Sequence, residues 1–140
     1  MTYVIPPPRA LSYAACMTTP ATRALGELLE LQRNLAERTR DLTGDADAVL
    51  RTGRAVLTFA EREETAFFPL LPLLDPAALA ELGGEHQQLA DDLDLLESLV
   101  ATTPDSPHIT VLAVALARRM EAHIARDGRL LAQAARLTPR

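Results

Sequence analysis

The chain has 140 residues, a length typical of one domain, and 48% of them are hydrophobic while only 4% are aromatic, with no tryptophan. A core of that kind must come from leucine, alanine and valine, which suits helix packing better than a sheet. All fourteen basic residues are arginine and the net charge is −5, which argues against a nucleic-acid binder, and no apolar run reaches the ~18 residues that would cross a bilayer.

Residues 1–20 hold four of the ten prolines and no helical period. They read as an extended arm ending at Thr19-Pro20, a helix cap with proline at the first helical position. The arm has no charged leader and is broken at Pro6-Pro7-Pro8, so it makes a poor secretory signal. Its Cys16 is the single cysteine; it cannot form an internal disulfide, and a reducing compartment, the cytoplasm, is expected. With no charged neighbour to lower its pKa, Cys16 reads as a small hydrophobe rather than a nucleophile.

Residues 21–140 form one domain of four helical stretches. The first runs from about Ala21 to Leu42 and ends near Gly44. Asp45 or Asp47 caps the second, which runs to about Phe68, where Pro69 and Pro72 stop it. Asp75-Pro76 is a cap plus proline that opens the third helix, to about Ala101. Within it Gly83-Gly84 costs about 2 kcal/mol relative to alanine, so a kink or a later start is allowed. Ser106-Pro107 repeats the signal, and the fourth helix runs to about Leu137.

Each helix carries an apolar stripe at helical spacing. The first presents Leu25, Leu28, Gln32, Leu35, Thr39 and Leu42; the second Val49, Val56, Phe59 or Ala60, Glu63 and Phe67. The third presents Leu79, Leu82, His86, Leu89, Leu93, Leu96 and Val100; the fourth Leu112, Leu116, Met120, His123, Asp127, Leu130 and Ala134. Short connections between four such helices predict an all-α, antiparallel up-down-up-down four-helix bundle.

Every stripe is interrupted by a polar residue near its middle: Gln32, Glu63, His86, and the pair His123 and Asp127. A buried ionised carboxylate needs a partner, and helices that each donate such a group inward are how bundles build metal sites. Imidazole with carboxylate, without thiolate, suits iron, manganese or zinc. His123 and Asp127 lie about one turn apart on one face. Glu63, His86, His123 and Asp127 are therefore the candidate metal ligands, with Gln32 as a further candidate; the same four are the candidates for acid–base catalysis. Glu61 and Glu64 read as solvated charges, although Glu64 replaces Glu63 if the register slips by one. His108, Asp91, Asp92 and Asp94 read as surface residues, Phe59 and Phe67 as core.

The stretch Glu63-Glu64-Thr65-Ala66-Phe67-Phe68-Pro69-Leu70, the pair Glu85-His86 followed by Leu89, and His123 with Asp127 together resemble the hemerythrin-like (HHE cation-binding) family over about residues 22–137. The resemblance implies a bundle with a metal centre and roles in iron, oxygen, nitric oxide or peroxide handling. It also implies two departures: Gln32 stands at the family's first-helix histidine and Phe59 at a second-helix histidine. Ala90 stands where oxygen-carrying members place another. The implied remainder is a reduced, mononuclear site of Glu63, His86, His123 and Asp127 holding one iron or other divalent ion.

Two readings of other classes stay open. One is a metal-free enzyme that uses the same pocket for acid–base chemistry on a small organic substrate. The other is a non-catalytic helical module that associates through the Pro-rich arm or an exposed helix face; the bland reading of the polar groups is a buried network that only fixes helix register. The expected partners are a metal ion or a small molecule, with a homodimer allowed and neither nucleic acid nor membrane.

Overall fold

The computed structural model describes residues 22–70 and 76–137. Helix α1 spans Thr22–Arg40, α2 Ala46–Arg62, α3 Pro76–Thr102 and α4 His108–Leu137. Among the described residues there is no strand, so the chain is an all-α four-helix bundle. The expected N-terminal arm, Cys16 and the Asp75 cap lie outside the described residues.

Local chemistry accounts for most boundaries. Leu42 N–H donates to the Thr39 carbonyl, three residues back, at 3.3 Å, which tightens the end of α1 two residues before the expected stop. Arg38 and Arg40 occupy that last turn, where cations suit the negative end of the helix dipole. Asp45, rather than Asp47, caps α2: its backbone is extended and its carboxylate accepts from Ala48 N–H at 3.2 Å. Ser106 Oγ accepts from His108 N–H at 3.2 Å and starts α4. No break occurs at Gly83-Gly84, because α3 runs unbroken through them; the burial of Leu82, His86 and Leu89 around the pair outweighs the propensity cost.

The end of the second helix differs from the expectation of one α-helix to Phe68. After Arg62 the chain widens into a π-helical turn, Glu63–Phe67, and then tightens into a 3-10 turn, Phe68–Leu70. Pro69 has no N–H with which to continue the α pattern, and Phe68 N–H instead reaches the Glu63 carbonyl, five residues back. The Thr65 hydroxyl donates to the Glu61 carbonyl at 3.0 Å, a side-chain competitor of the kind that bends helices.

Helix α1 packs against α2 and α4, and α3 packs against the same two from the opposite side. Cross-helix contacts set the directions. Arg54 meets Glu97 at 2.5 Å while His86 meets Glu64 at 2.9 Å, so α2 and α3 run antiparallel. The pairs Asp92–Arg119 and Glu85–Arg126 do the same for α3 and α4. Gly44 near Val114, and Gln32 on the Ile124 carbonyl, place α1 antiparallel to α4.

Leu82, Leu96, Leu116, Met120, Ile124 and Leu131 are fully buried, each worth about 1.5–3 kcal/mol of hydrophobic stabilisation. At the end of α4 the core residue is Leu131, with Leu130 only partly buried. Helix α4 touches α1, α3 and, across the bundle, α2, so its buried face is wider than one stripe and includes Ala113, Ala117 and Ile124. No helix among the described residues is long and apolar enough to cross a membrane.

Candidate metal centre

The polar interruptions of three stripes meet in the bundle interior. Glu63 enters from the first residue of the π turn, His86 from the second quarter of α3, and His123 and Asp127 from consecutive turns of α4. Glu63 and Asp127 are fully buried, and His86 and His123 are 6% and 3% exposed. One potential ligand atom from each of the four lies within 4.8 Å of the others. The two imidazoles meet edge to face with centroids 4.8 Å apart.

The inward atoms approach one another without bonding. His123 Nε2 lies 3.3 Å from Asp127 Oδ2, and His86 Nε2 lies 3.7 Å from Glu63 Oε1. Both Nε2 atoms and all four carboxylate oxygens of Glu63 and Asp127 are buried with no hydrogen-bond partner among the described residues. Six such atoms around one point are costly: an unsatisfied buried polar group costs about 1–3 kcal/mol, more when charged. A cation would satisfy the set, since each atom offers a lone pair.

The outward nitrogens are held. His86 Nδ1 lies 2.9 Å from Glu64 Oε1, and His123 Nδ1 lies 2.8 Å from Glu85 Oε1. An ionised carboxylate only accepts, so each Nδ1 carries a hydrogen, and a ring in its neutral form then turns the Nε2 lone pair inward. Phe68 stacks on His86 with centroids 6.0 Å apart. Glu85 is engaged in turn by Arg126 Nη1.

Electrostatics follow burial. Glu63 is pushed up to about 10, by burial first and then by the neighbouring Asp127 and Glu64 carboxyls. For His123, burial disfavours the charged ring, but Asp127 and Glu85 outweigh it and hold the imidazolium above its ordinary range. Without a cation, then, Glu63 holds a proton at neutral pH.

Of the residues expected from the stripes, Glu63, His86, His123 and Asp127 are brought together. Gln32 donates its Nε2 to the Ile124 carbonyl at 3.1 Å, so its amide nitrogen is engaged with the α4 backbone. Phe59 is buried in the hydrophobic core. Glu64, read from sequence as a solvated charge, is half-exposed yet bonds His86. Glu85 enters the sequence reading only as part of the Glu85-His86 pair, and neither it nor Arg126 is given a role there. The available signal was spacing: Glu85 precedes His86, Glu64 follows Glu63, and Arg126 precedes Asp127, each beside a seam residue.

The family described as hemerythrin HHE cation binding domain matches residues 21–135. No characterised protein and no solved structure matches the chain significantly.

Proposed function

The chain belongs to the hemerythrin HHE cation-binding family, and from that membership we propose that Glu63, His86, His123 and Asp127 hold one metal ion, iron in the first place. The observation that supports this most is the group of six buried atoms without hydrogen-bond partners that face one another. Two imidazole nitrogens and two carboxylates form a donor set suited to iron, manganese or zinc. Bound there, iron would supply Lewis acidity and a one-electron couple toward a small diatomic ligand or peroxide.

The chain's own groups divide the work. His86 and His123 present Nε2 inward because Glu64 and Glu85 hold Nδ1. Glu63 gives up its proton when a cation arrives, which makes loading release a proton. Phe59, Phe67 and Met120 belong to the buried hydrophobic core of the same bundle. Phe59 offers no ligand atom, and Gln32, whose Nε2 donates to the Ile124 carbonyl, has only a neutral amide oxygen in place of an imidazole, so the reading is a mononuclear site. The single cysteine fits a reducing, cytoplasmic setting.

Elemental analysis of protein purified from iron-replete cells tests the reading. The expected result is one metal per chain. Two irons per chain with an oxo-bridge absorption band would overturn the mononuclear assignment. One feature favours the metal-free acid–base reading: the Glu63 carboxyl, its pKa raised by burial, stands 3.7 Å from the His86 imidazole. Protein that contains no metal and melts identically with and without chelator would select it.

A further inference from the structure

His123 sits between two carboxylates that compete for one ring hydrogen. Glu85 Oε1 lies 2.8 Å from Nδ1 and Asp127 Oδ2 lies 3.3 Å from Nε2. If the hydrogen sits at Nδ1, Nε2 offers a lone pair to the interior. If it sits at Nε2, that nitrogen donates to Asp127 and can bind nothing.

We propose that Glu85, clamped by Arg126, is the positioning residue that keeps the hydrogen off Nε2 of His123 and so keeps His123 competent as a ligand. The claim rests on the metal-binding reading of the site for its consequence, but its geometry stands without a metal. Glu85 offers the shorter contact, and its second oxygen is occupied by Arg126 Nη1. Arg126 also approaches Glu81 Oε2 at 3.8 Å, so two α3 carboxylates one turn apart hold the guanidinium. It stands one residue before Asp127 on α4 and reaches back across to α3. The result is a chain of contacts from the surface to the ring: Glu81, Arg126, Glu85, His123.

His86 is held differently. Its partner Glu64 has a 46% exposed side chain, and no cation pairs with Glu64 among the described residues. The carboxylate at His86 Nε2 is Glu63, 3.7 Å away, a weaker competitor than Asp127 is at His123. Loss of Glu64 should therefore disturb His86 less than loss of Glu85 disturbs His123. The two outer carboxylates look alike in contact length and differ in consequence.

The test uses the full chain and four variants: Glu85→Ala, Glu85→Gln, Arg126→Met and Glu64→Ala, each checked for folding by circular dichroism. Nitrogen-15 NMR of metal-free protein, at alkaline pH where the ring is neutral, reads which nitrogen of His123 carries hydrogen. The expected wild-type state is Nδ1–H. Glu85→Ala should move the hydrogen to Nε2, whereas Glu85→Gln, which keeps a carbonyl acceptor, should retain Nδ1–H. Cobalt(II) titration should show affinity falling about 10–100-fold in Glu85→Ala, the usual scale for loss of an outer partner. The fall should be smaller in Glu85→Gln and Glu64→Ala.

An unchanged His123 tautomer in Glu85→Ala overturns the proposal, whatever cobalt does. If Glu85→Ala does not fold, Arg126→Met carries the same test, with partial transfer of the hydrogen to Nε2 expected and none overturning the proposal. Wild-type protein that takes up no cobalt would defeat the metal reading while the tautomer measurement still decides the role of Glu85.

Discussion

Replacing His123 by alanine removes one of four inward donors and leaves Asp127 without the ring beside it. In the wild type a metal bound only by the folded state stabilises by mass action, about 2.7 kcal/mol at a hundredfold excess over Kd. Chelator should therefore lower the wild-type melting temperature by roughly 10 °C. In His123→Ala both metal content and the chelator effect should vanish, and the apoprotein should lose about 1–3 kcal/mol from polar groups left unsatisfied. A chelator shift that persists in the variant would show that His123 is not a ligand. These four residues were legible because each breaks an apolar stripe that its own helix makes plain. Glu64 and Glu85 were not, because both lie off the stripe centre. Their role appears only once α2, α3 and α4 are side by side, and Glu64 owes its direction to the π turn that no periodicity announces.

Helix packing makes some glycines tolerant and others, Gly53 among them, intolerant. A Cβ on Gly53 of α2 would stand 2.4 Å from Leu93 Cδ2 and 3.1 Å from its Cγ, so the branch point of a buried side chain blocks it. Gly53→Ala should destabilise by about 1–3 kcal/mol through overpacking, despite alanine's better helix propensity. Gly84→Ala on α3 meets nothing within 4 Å and should stabilise by about 0.5–1 kcal/mol. Urea denaturation of the two variants checks the pair; equal signs would refute the packing account. The elements themselves could be read in advance from Asp45, Ser106-Pro107 and the regular run Leu82, His86, Leu89, Leu93, Leu96. What could not be read was three-dimensional. Gly53 is a close-approach site only because Leu93 faces it. A single stripe drawn along thirty residues of α4 drifted onto Leu130, where the packing of three neighbours buries Leu131.

For the whole molecule, the buried cluster sets an uncommon dependence of stability on pH. Glu63 is raised from 4.5 to about 10 in the folded apoprotein. Between those limits the folded chain holds a proton that the unfolded chain has released, so the stability of the apoprotein falls as pH rises. His123 acts in the same direction: its folded pKa is raised above 6.5, so its contribution is complete below that value and is lost as pH rises through the folded one. Each group contributes a slope of at most about 1.4 kcal/mol per pH unit. The apoprotein should thus melt at lower temperature at pH 9 than at pH 6, the reverse of a fold stabilised by carboxylates with lowered pKa. A bound cation changes the balance, because it requires Glu63 to be ionised and competes with the proton; its stabilisation grows as pH rises. The gap between metal-loaded and chelator-treated melting temperatures should widen from pH 6 to pH 9. Melting curves of both forms across that range check it. An apoprotein that gains stability over the same interval would show that Glu63 does not hold its proton in the folded interior, and with it would go the account of loading as an exchange of proton for metal.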